Sequence, residues 1–314
     1  MGFTTGAKLL ADIVDEIAEG LITSTDPETG LNYWSDADTS WNTSNRLEQN
    51  AKRALKYENG DELVYITVEA VNSQINSYPG HYSRGLRIVF SASWDDINHI
   101  YPSSNQSTYI PFENHNTTVL ANLTTLMITY YLWIDHTGFV IMAKPEPTGD
   151  NQQQSFMACV EHSKSKEYAD GYTNFFCYAV CNIWPELYGG DYAPLNRNRS
   201  ILRPFAYQWP NGGGNQGAPN PNGNGISFVP MPSYYAFKSI VSNKVYYIKP
   251  IIHNIAGQTA AAFQSDMFFM WTENLGLIDG DIISMEGRTT KYLCKGLSSP
   301  DSTSRLTYAI KYVA

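Results

Sequence analysis

The sequence predicts a mainly β fold: a sandwich or barrel-like body of antiparallel hairpins, with one N-terminal amphipathic helix and long irregular loops. Three observations carry this. First, β-branched and aromatic residues alternate with polar ones over short runs bounded by turn residues, as in residues 62–71 (ELVYITVEAV) and 86–94 (LRIVFSASW). Second, a single segment repeats its apolar residues clearly at three and four. Third, 22 Tyr, 7 Trp and 13 Phe accompany much Asn, Ser, Thr, Gly and Pro, and 16% of residues are charged against about 25% in an ordinary soluble domain. That mixture suits pleated surfaces whose outer side is polar but uncharged, or covered by partners.

The helix is expected over residues 7–21. Leu10, Ile13, Val14, Ile17 and Leu21 fall on one side and Asp12, Asp15, Glu16 and Glu19 on the other. Thr4 or Thr5 would cap its start, and Gly20 lies near its end. It packs either on the body's own sheet or on a neighbouring subunit. Residues 22–60 are polar and contain Trp34 and Trp41, with a second short helix expected over 46–57. Residues 1–60 thus read as a helical and irregular segment packed on a β-rich body of residues 61–314.

The turn Asn59-Gly60-Asp61 leads into the strand at 62–71, and a second strand covers 86–94. Residues 124–143 read as a hairpin turning at Asp135-His136-Thr137-Gly138 and closed by Pro145 and Pro147. If the body divides in two, the break falls near 145–155, in the stretch KPEPTGDNQQQ. Residues 156–160 suit a strand, and 172–184 a strand or a short helix. Residues 209–232 (WPNGGGNQGAPNPNGNGISFVPMP) are of low complexity and read as an extended loop or arm. A hairpin around Ser242-Asn243-Lys244 and a closing meander over 277–313, turning at Glu286-Gly287-Arg288, complete the chain.

At 314 residues the chain has room for one large or two modest domains. A net charge of -9 argues against nucleic acid as the main partner, because phosphate binding needs clustered Lys and Arg. The first twenty residues carry acids among their apolar residues and no basic leader, unlike a secretory signal. Gly6 stands where N-myristoylation prefers Ser or Thr. No membrane insertion is expected. The best apolar stretch, 123–133, is short of the about 18 residues of a span and is followed by Asp135 and His136. The four cysteines, Cys159, Cys177, Cys181 and Cys294, are too few for a disulfide framework. They are expected as free, mostly buried thiols of a protein folded in a reducing compartment.

Strong catalytic motifs are missing: no Gly-x-Ser-x-Gly, no phosphate-binding Gly-x-x-x-x-Gly-Lys, no His-Glu-x-x-His and no Cys-x-x-Cys. Ser163-Lys164-Ser165-Lys166 fits Ser-x-x-Lys without its companion motifs and reads as a solvated polar turn. Cys177 and Cys181 would share a helix face and, with Cys159 or His162, hold zinc, but the spacing matches no standard ligand set. Asp36-Ala37-Asp38-Thr39-Ser40 begins like a calcium loop, yet Trp41 stands where Gly is needed and Leu47 where Glu is needed. An Asx-rich turn is the better reading, and Asp279-Gly280-Asp281 is read as a strand-entry turn. Trp94-Asp95-Asp96 with Glu113 would supply the paired carboxylates of a cell-wall hydrolase. His81, His99, His115, His136, His162 and His253 are scattered, with no triad context. No catalytic, cofactor-binding or metal residue is assigned, and no cofactor.

Two stretches resemble virion structural proteins of tailed bacteriophages and prophages. One is MGFTTGAKLLADIVDEIAEGL, followed by a Trp-bearing polar stretch and then ENGDELVYITVEAV; the other is DGDIISMEGRTTKYLCKG with RLTYAIKYV. The first is similar to their short Thr-Thr-Gly leader, amphipathic helix and Gly-x-Asp strand, and the second to their closing meander. Glu286-Gly287-Arg288 departs from the Gly-Gly turn that is usual there. The resemblance implies a non-enzymatic component of a tail tip, baseplate or neck, assembled in the host cytoplasm as a homo-oligomeric ring and partnered by copies of itself and other virion proteins. It carries over no site residue. The alternatives are a carbohydrate- or receptor-binding β module at a tail tip, stacking a host glycan on Trp94, Tyr101 or Trp209, and the hydrolase built on Asp95 and Glu113.

Overall fold

Alternating side chains need a hydrogen-bonded ladder to hold them, and the chain supplies one almost throughout. The computed structural model describes residues 2–40, 51–74, 82–102, 105–115, 127–145, 152–153, 155–163, 166–167, 172–181, 201–202, 205–208, 236–238, 245–247, 251–256, 259–270, 276–284, 289–298 and 305–313. In chain order the elements are β1 (Gly2–Leu9), α1 (Leu10–Ile22), β2 (Trp34–Asp36), β3 (Ala51–Asn59), β4 (Glu62–Gln74), β5 (Tyr82–Ser91), β6 (Asn105–His115) and β7 (Met127–Asp135). Then come β8 (Gly138–Pro145), β9 (Gln152–Gln153), β10 (Phe156–His162), β11 (Lys166–Glu167), β12 (Tyr172–Cys181), β13 (Ile201–Leu202), β14 (Phe205–Gln208) and β15 (Ala236–Lys238). The last are β16 (Val245–Tyr247), β17 (Ile251–Ala256), β18 (Thr259–Gln264), β19 (Phe268–Met270), β20 (Ile282–Ser284), β21 (Lys291–Ser298) and β22 (Arg305–Tyr312).

The chain is mainly β. A seven-stranded sheet runs β1-β7-β8-β10-β12-β13, with β14 also on β12. A six-stranded sheet runs β2-β3-β4-β5-β6-β9, and a four-stranded sheet β19-β22-β21-β20. Strands β11, β18 and β17 form a further sheet, and β15 pairs with β16.

The pleat sorts the seven-stranded sheet's side chains to two cores. Ile128, Tyr130 and Leu132 of β7, Phe139 and Ile141 of β8, Phe156 and Val160 of β10, and Phe175 of β12 join Val64, Ile66, Val68, Leu86, Ile88 and Phe90 of the six-stranded sheet in one cluster. Their alternate neighbours Trp133, Val140, Met142, Met157, Phe176 and Tyr178 join Phe268, Tyr308 and Ile310 of the four-stranded sheet in a second. The central strands β8 and β10 are therefore buried on both faces, which explains their unbroken apolar runs FVIMA and FMACV.

The one α-helix among the described residues, α1, buries Leu10, Ile13, Val14, Ile17 and Leu21 against strands of both large sheets. Its apolar side serves its own chain, not a neighbouring subunit. It begins three residues later than the sequence suggests, because residues 2–9 are drawn along β7 in register from Gly2↔Ile134 to Leu9↔Met127. Thr4 and Thr5 are strand residues and do not cap. Gly20 is inside the helix, and the helix end is closed by Thr23 and Ser24, whose hydroxyls donate to the carbonyls of Glu19 and Gly20 at 2.7 and 2.6 Å.

The helix expected over 46–57 is absent from its described part: residues 51–59 are β3, paired to β4 through the two-residue turn Gly60-Asp61. The run KRALKYE has helical propensity, but a ladder of nine pairs with β4 outweighs it. Residues 1–60 are thus no helical segment laid on a body, since β1, β2 and β3 belong to its two largest sheets. Nor do two bodies separate near 145–155, because β8 and β10 lie side by side. The 124–143 hairpin forms as β7 and β8, closing at Asp135↔Gly138. Residues 172–181 resolve as strand. The sequence gives no warning of β6, in which Pro111 opposes Gly85 beside the register shift between Arg84 and Gly85. Residues 209–232, the 242–244 turn and the 286–288 turn lie outside the described residues.

Candidate functional site

Asp38, Ser40, Trp94, Asp95, His99 and Tyr101, among the side chains singled out in the sequence, come together at one place, on the outer face of the six-stranded sheet. Residues 92–102 leave β5 and return to β6 beside residues 37–40, which follow β2. Asp38 is the anchor, only 4% exposed. Its carboxylate accepts Trp94 Nε1 at 2.9 Å and Ser40 Oγ at 2.9 Å, and lies 2.7 Å from His99 Nδ1. Burial opposes its ionisation, but the hydrogen bonds from His99, Ser40 and Trp94 together outweigh burial and hold the carboxyl below its ordinary value.

The loop tip closes on itself. Asp95 and Ile100 exchange both backbone hydrogen bonds, at 3.0 and 3.2 Å. The Asp95 carboxylate accepts Asn98 Nδ2 at 2.7 Å, Asn98 N at 2.9 Å and Ile97 N at 3.0 Å, and these bonds keep it below its ordinary value. His99 has φ 55°, the one positive value at a non-glycine among the described residues. At the apex Ile97 is 83% exposed and Ile100 51%.

Below the loop a charged row crosses the sheet, set by register: Lys52 opposes Glu69, and Glu69 opposes Arg87. Arg87 Nη1 meets Glu69 Oε2 at 3.1 Å. Burial raises Glu69, with Arg87 and Lys52 pulling it back. Lys52 Nζ lies 5.6 Å from the Trp94 ring centre, and Trp94 and Tyr101 stand 6.5 Å apart with planes at 46°.

A His–Asp pair is half of an acid–base relay, but a triad needs a hydroxyl on the imidazole. Ser40, a hydroxyl of this cluster, donates instead to Asp38. The hydrolase pair is also separated. Glu113 is paired with Arg84, eight residues along β6 from Asn105, the residue that opposes Ser91 next to the 92–102 loop. At about 3.4 Å per residue that is roughly 27 Å, far beyond the reach of two carboxyls on one sugar.

The remaining candidates are placed as follows. Asp36 binds Arg53 at 2.8 Å, so the two acids of the calcium-like start face different partners. Cys159 and Cys177 point to opposite faces of the seven-stranded sheet, and Cys177 and Cys181 lie on a strand and not a helix. Among the described residues no three His, Cys, Asp or Glu stand close enough to hold a metal ion. Cys159, Cys177 and Cys294 are free and buried. Ser163 is buried and not a solvated turn residue; its N–H donates to Asn174 O at 2.8 Å. Asp279-Gly280-Asp281 forms the turn before β20, with Gly280 at φ 93°. Trp209, His81, and the side chains of Glu113, Cys181, His115 and His253 lie outside the described residues. Each of the three described histidines faces a distant carboxylate: His99 Asp38, His162 Glu62 at 2.8 Å, and His136 Asp26 at 3.7 Å.

A second polar group was invisible in the sequence. Asp135, 4% exposed, accepts Trp133 Nε1 and Lys311 Nζ, each at 3.0 Å. Burial opposes its ionisation, and Lys311, Thr137 and Trp133 outweigh burial. Near it Glu161, 3% exposed, sits between two sheets. No helix among the described residues is long and apolar enough to cross a membrane. Compared with protein families, curated proteins and solved structures, the chain matches none.

Proposed function

We propose that this protein is a non-enzymatic structural component of a tailed-phage-type virion, in a tail tip, baseplate or neck. In this reading its large sheets form a layered β-sandwich that works in copies of itself. The observation that carries the reading is the loop at Asp95–Ile100. Asp95, Asn98 and His99 are spent on one another and on Asp38, while Ile97 and Ile100 are turned to solvent. A catalytic centre does the opposite: it aims polar groups at a shared point. A stiff loop with a bare apolar tip loses little freedom on binding, and burying Ile97 contributes about 1.5–3 kcal/mol. The resemblance of the two terminal stretches to phage virion proteins points the same way.

The test is solution mass by light scattering, with negative-stain images of the same fractions. A closed oligomer is expected, and Ile97→Asp should lower its mass without changing the melting temperature. A wild-type protein that stays monomeric at every concentration, with or without the substitution, would overturn the reading. The pair Trp94 and Tyr101 favours a second reading, host glycan binding at the same loop. A glycan screen in which Trp94→Ala abolishes a specific signal would establish it.

A further inference from the structure

Two carboxyls are buried at the seam between the seven-stranded and four-stranded sheets, Asp135 and Glu161. Glu161 of β10 accepts Ser265 Oγ at 2.6 Å and Asp266 N at 2.8 Å. The segment carrying these donors leads into β19 and is tied on its other side to the four-stranded sheet. Lys311 N donates to Met267 O at 2.8 Å, and the Tyr292 hydroxyl to Asp266 O at 2.8 Å. Residues 265–267 are therefore clamped between β10 on one side and β21 and β22 on the other. Among the described residues, the other groups at the seam are Cys159 of β10, 4.0 Å from Glu161 Oε2, Asp135 of β7 with Lys311 of β22, the hydroxyls of Tyr178 and Tyr308, 2.5 Å apart, and Lys295 of β21, which lies over the Tyr131 ring and is paired with Asp279. Lys311 spends its ammonium on Asp135, and the described partners of Glu161 are a hydroxyl, an N–H and a thiol.

We propose that Glu161 is a proton-operated latch: while neutral it accepts the bonds from residues 265–267 without a buried charge and so holds them, and through them the C-terminal four-stranded sheet, on the central sheet; once charged, the enclosed carboxylate draws in water and the seam loosens. A carboxylate enclosed here would be a buried charge with no counter-ion among the described residues. Burial pushes Glu161 up to about 8; Ser265 and the Asp266 N–H pull it down, and Asp266 and Asp135 push it up. Asp135, Cys159 and Tyr308 do not change charge in that range. Asp135 is held below its ordinary value, and burial pushes the Cys159 thiol and the Tyr308 phenol up.

In the opened state Glu161 meets water and titrates near its ordinary value of about 4.3. The closed state thus holds the proton more tightly. Its advantage is complete below that value and falls by about tenfold in equilibrium constant per pH unit until about pH 8, where it levels.

The buried thiols report the opening. Cys159 lines the seam, whereas Cys177 faces the other core. Iodoacetamide labelling of the whole protein, read by mass spectrometry, gives the rate at Cys159 in wild type divided by that in Glu161→Gln at each pH, which cancels the thiol's own ionisation. The expected ratio rises by up to tenfold per unit between about pH 6 and 8 and then flattens, with Cys177 unchanged. A ratio independent of pH, or Cys177 labelled in step with Cys159, overturns the latch. Should Glu161→Gln not fold, hydrogen exchange of the wild type decides. After correction for chemical exchange, protection of residues 265–270 should fall with rising pH relative to 138–145, and a constant ratio overturns the proposal.

Discussion

Gly138 opens β8, and replacing it with alanine should be among the most damaging single-methyl changes in this chain. Its φ is 148°, which L side chains rarely adopt. A Cβ there would lie 2.0 Å from Val160 O, 2.9 Å from Val160 C and 3.1 Å from Glu161 Cα, all backbone atoms of the neighbouring strand. An ordinary C···O approach is about 3.3 Å, so β8 would have to retreat from β10 by about 1.3 Å. That retreat breaks the ladder where Gly138 opposes Glu161 and Phe139 opposes Val160. The conformational strain costs about 1–3 kcal/mol and the overpacking about 1–3 kcal/mol. The sum, about 4 kcal/mol, is a large fraction of the about 5–15 kcal/mol that holds a domain folded.

Gly60→Ala is the control, since φ there is 61° but nothing lies within 4 Å, leaving about 1–2 kcal/mol of strain alone. Urea denaturation followed by tryptophan fluorescence, with the slope held common, measures both. If Gly138→Ala loses no more stability than Gly60→Ala, the close approach of β8 to β10 is wrong.

Arg53 joins α1 to β2 through Asp15 at 3.2 Å, Glu19 at 3.0 Å and Asp36 at 2.8 Å. Arg53→Ala removes the guanidinium that two partly buried carboxylates share, and a loss of about 2–3 kcal/mol in the same denaturation assay is expected. Asp38→Asn should lower stability by about 2 kcal/mol at neutral pH, because it weakens the hydrogen bonds to His99, Trp94 and Ser40. As the Asp38 carboxyl is held below its ordinary value, its contribution is present above that value and lost on acidification; the gap between wild type and Asp38→Asn should therefore shrink below about pH 4, measured by thermal melts.

Period-two patterning carried the local structure. Residues 62–71, 86–91, 127–135, 138–143, 282–284, 291–298 and 305–312 form strands within the segments that alternation marks, since each pattern is complete within its own segment. The apolar side of α1 was legible for the same reason. Its start was not, because only the ladder with β7, more than a hundred residues away, makes residues 7–9 extended. The same applies to β3, whose helical propensity yields to its pairing with β4. The candidate loop was half legible: Asp38, Trp94, Asp95 and Tyr101 stand out by residue type. Their meeting depends on the path of β2 and β5 in one sheet. His99 gained its role from Asp38, 61 positions distant, and Glu161 gained its burial from a segment 104 positions on. The sequence by itself determined which residues alternate and where turns fall, because those follow from local backbone preference. Only the tertiary structure decided which faces meet, and therefore which carboxyls are enclosed, which histidines find an acid and which isoleucines remain in water.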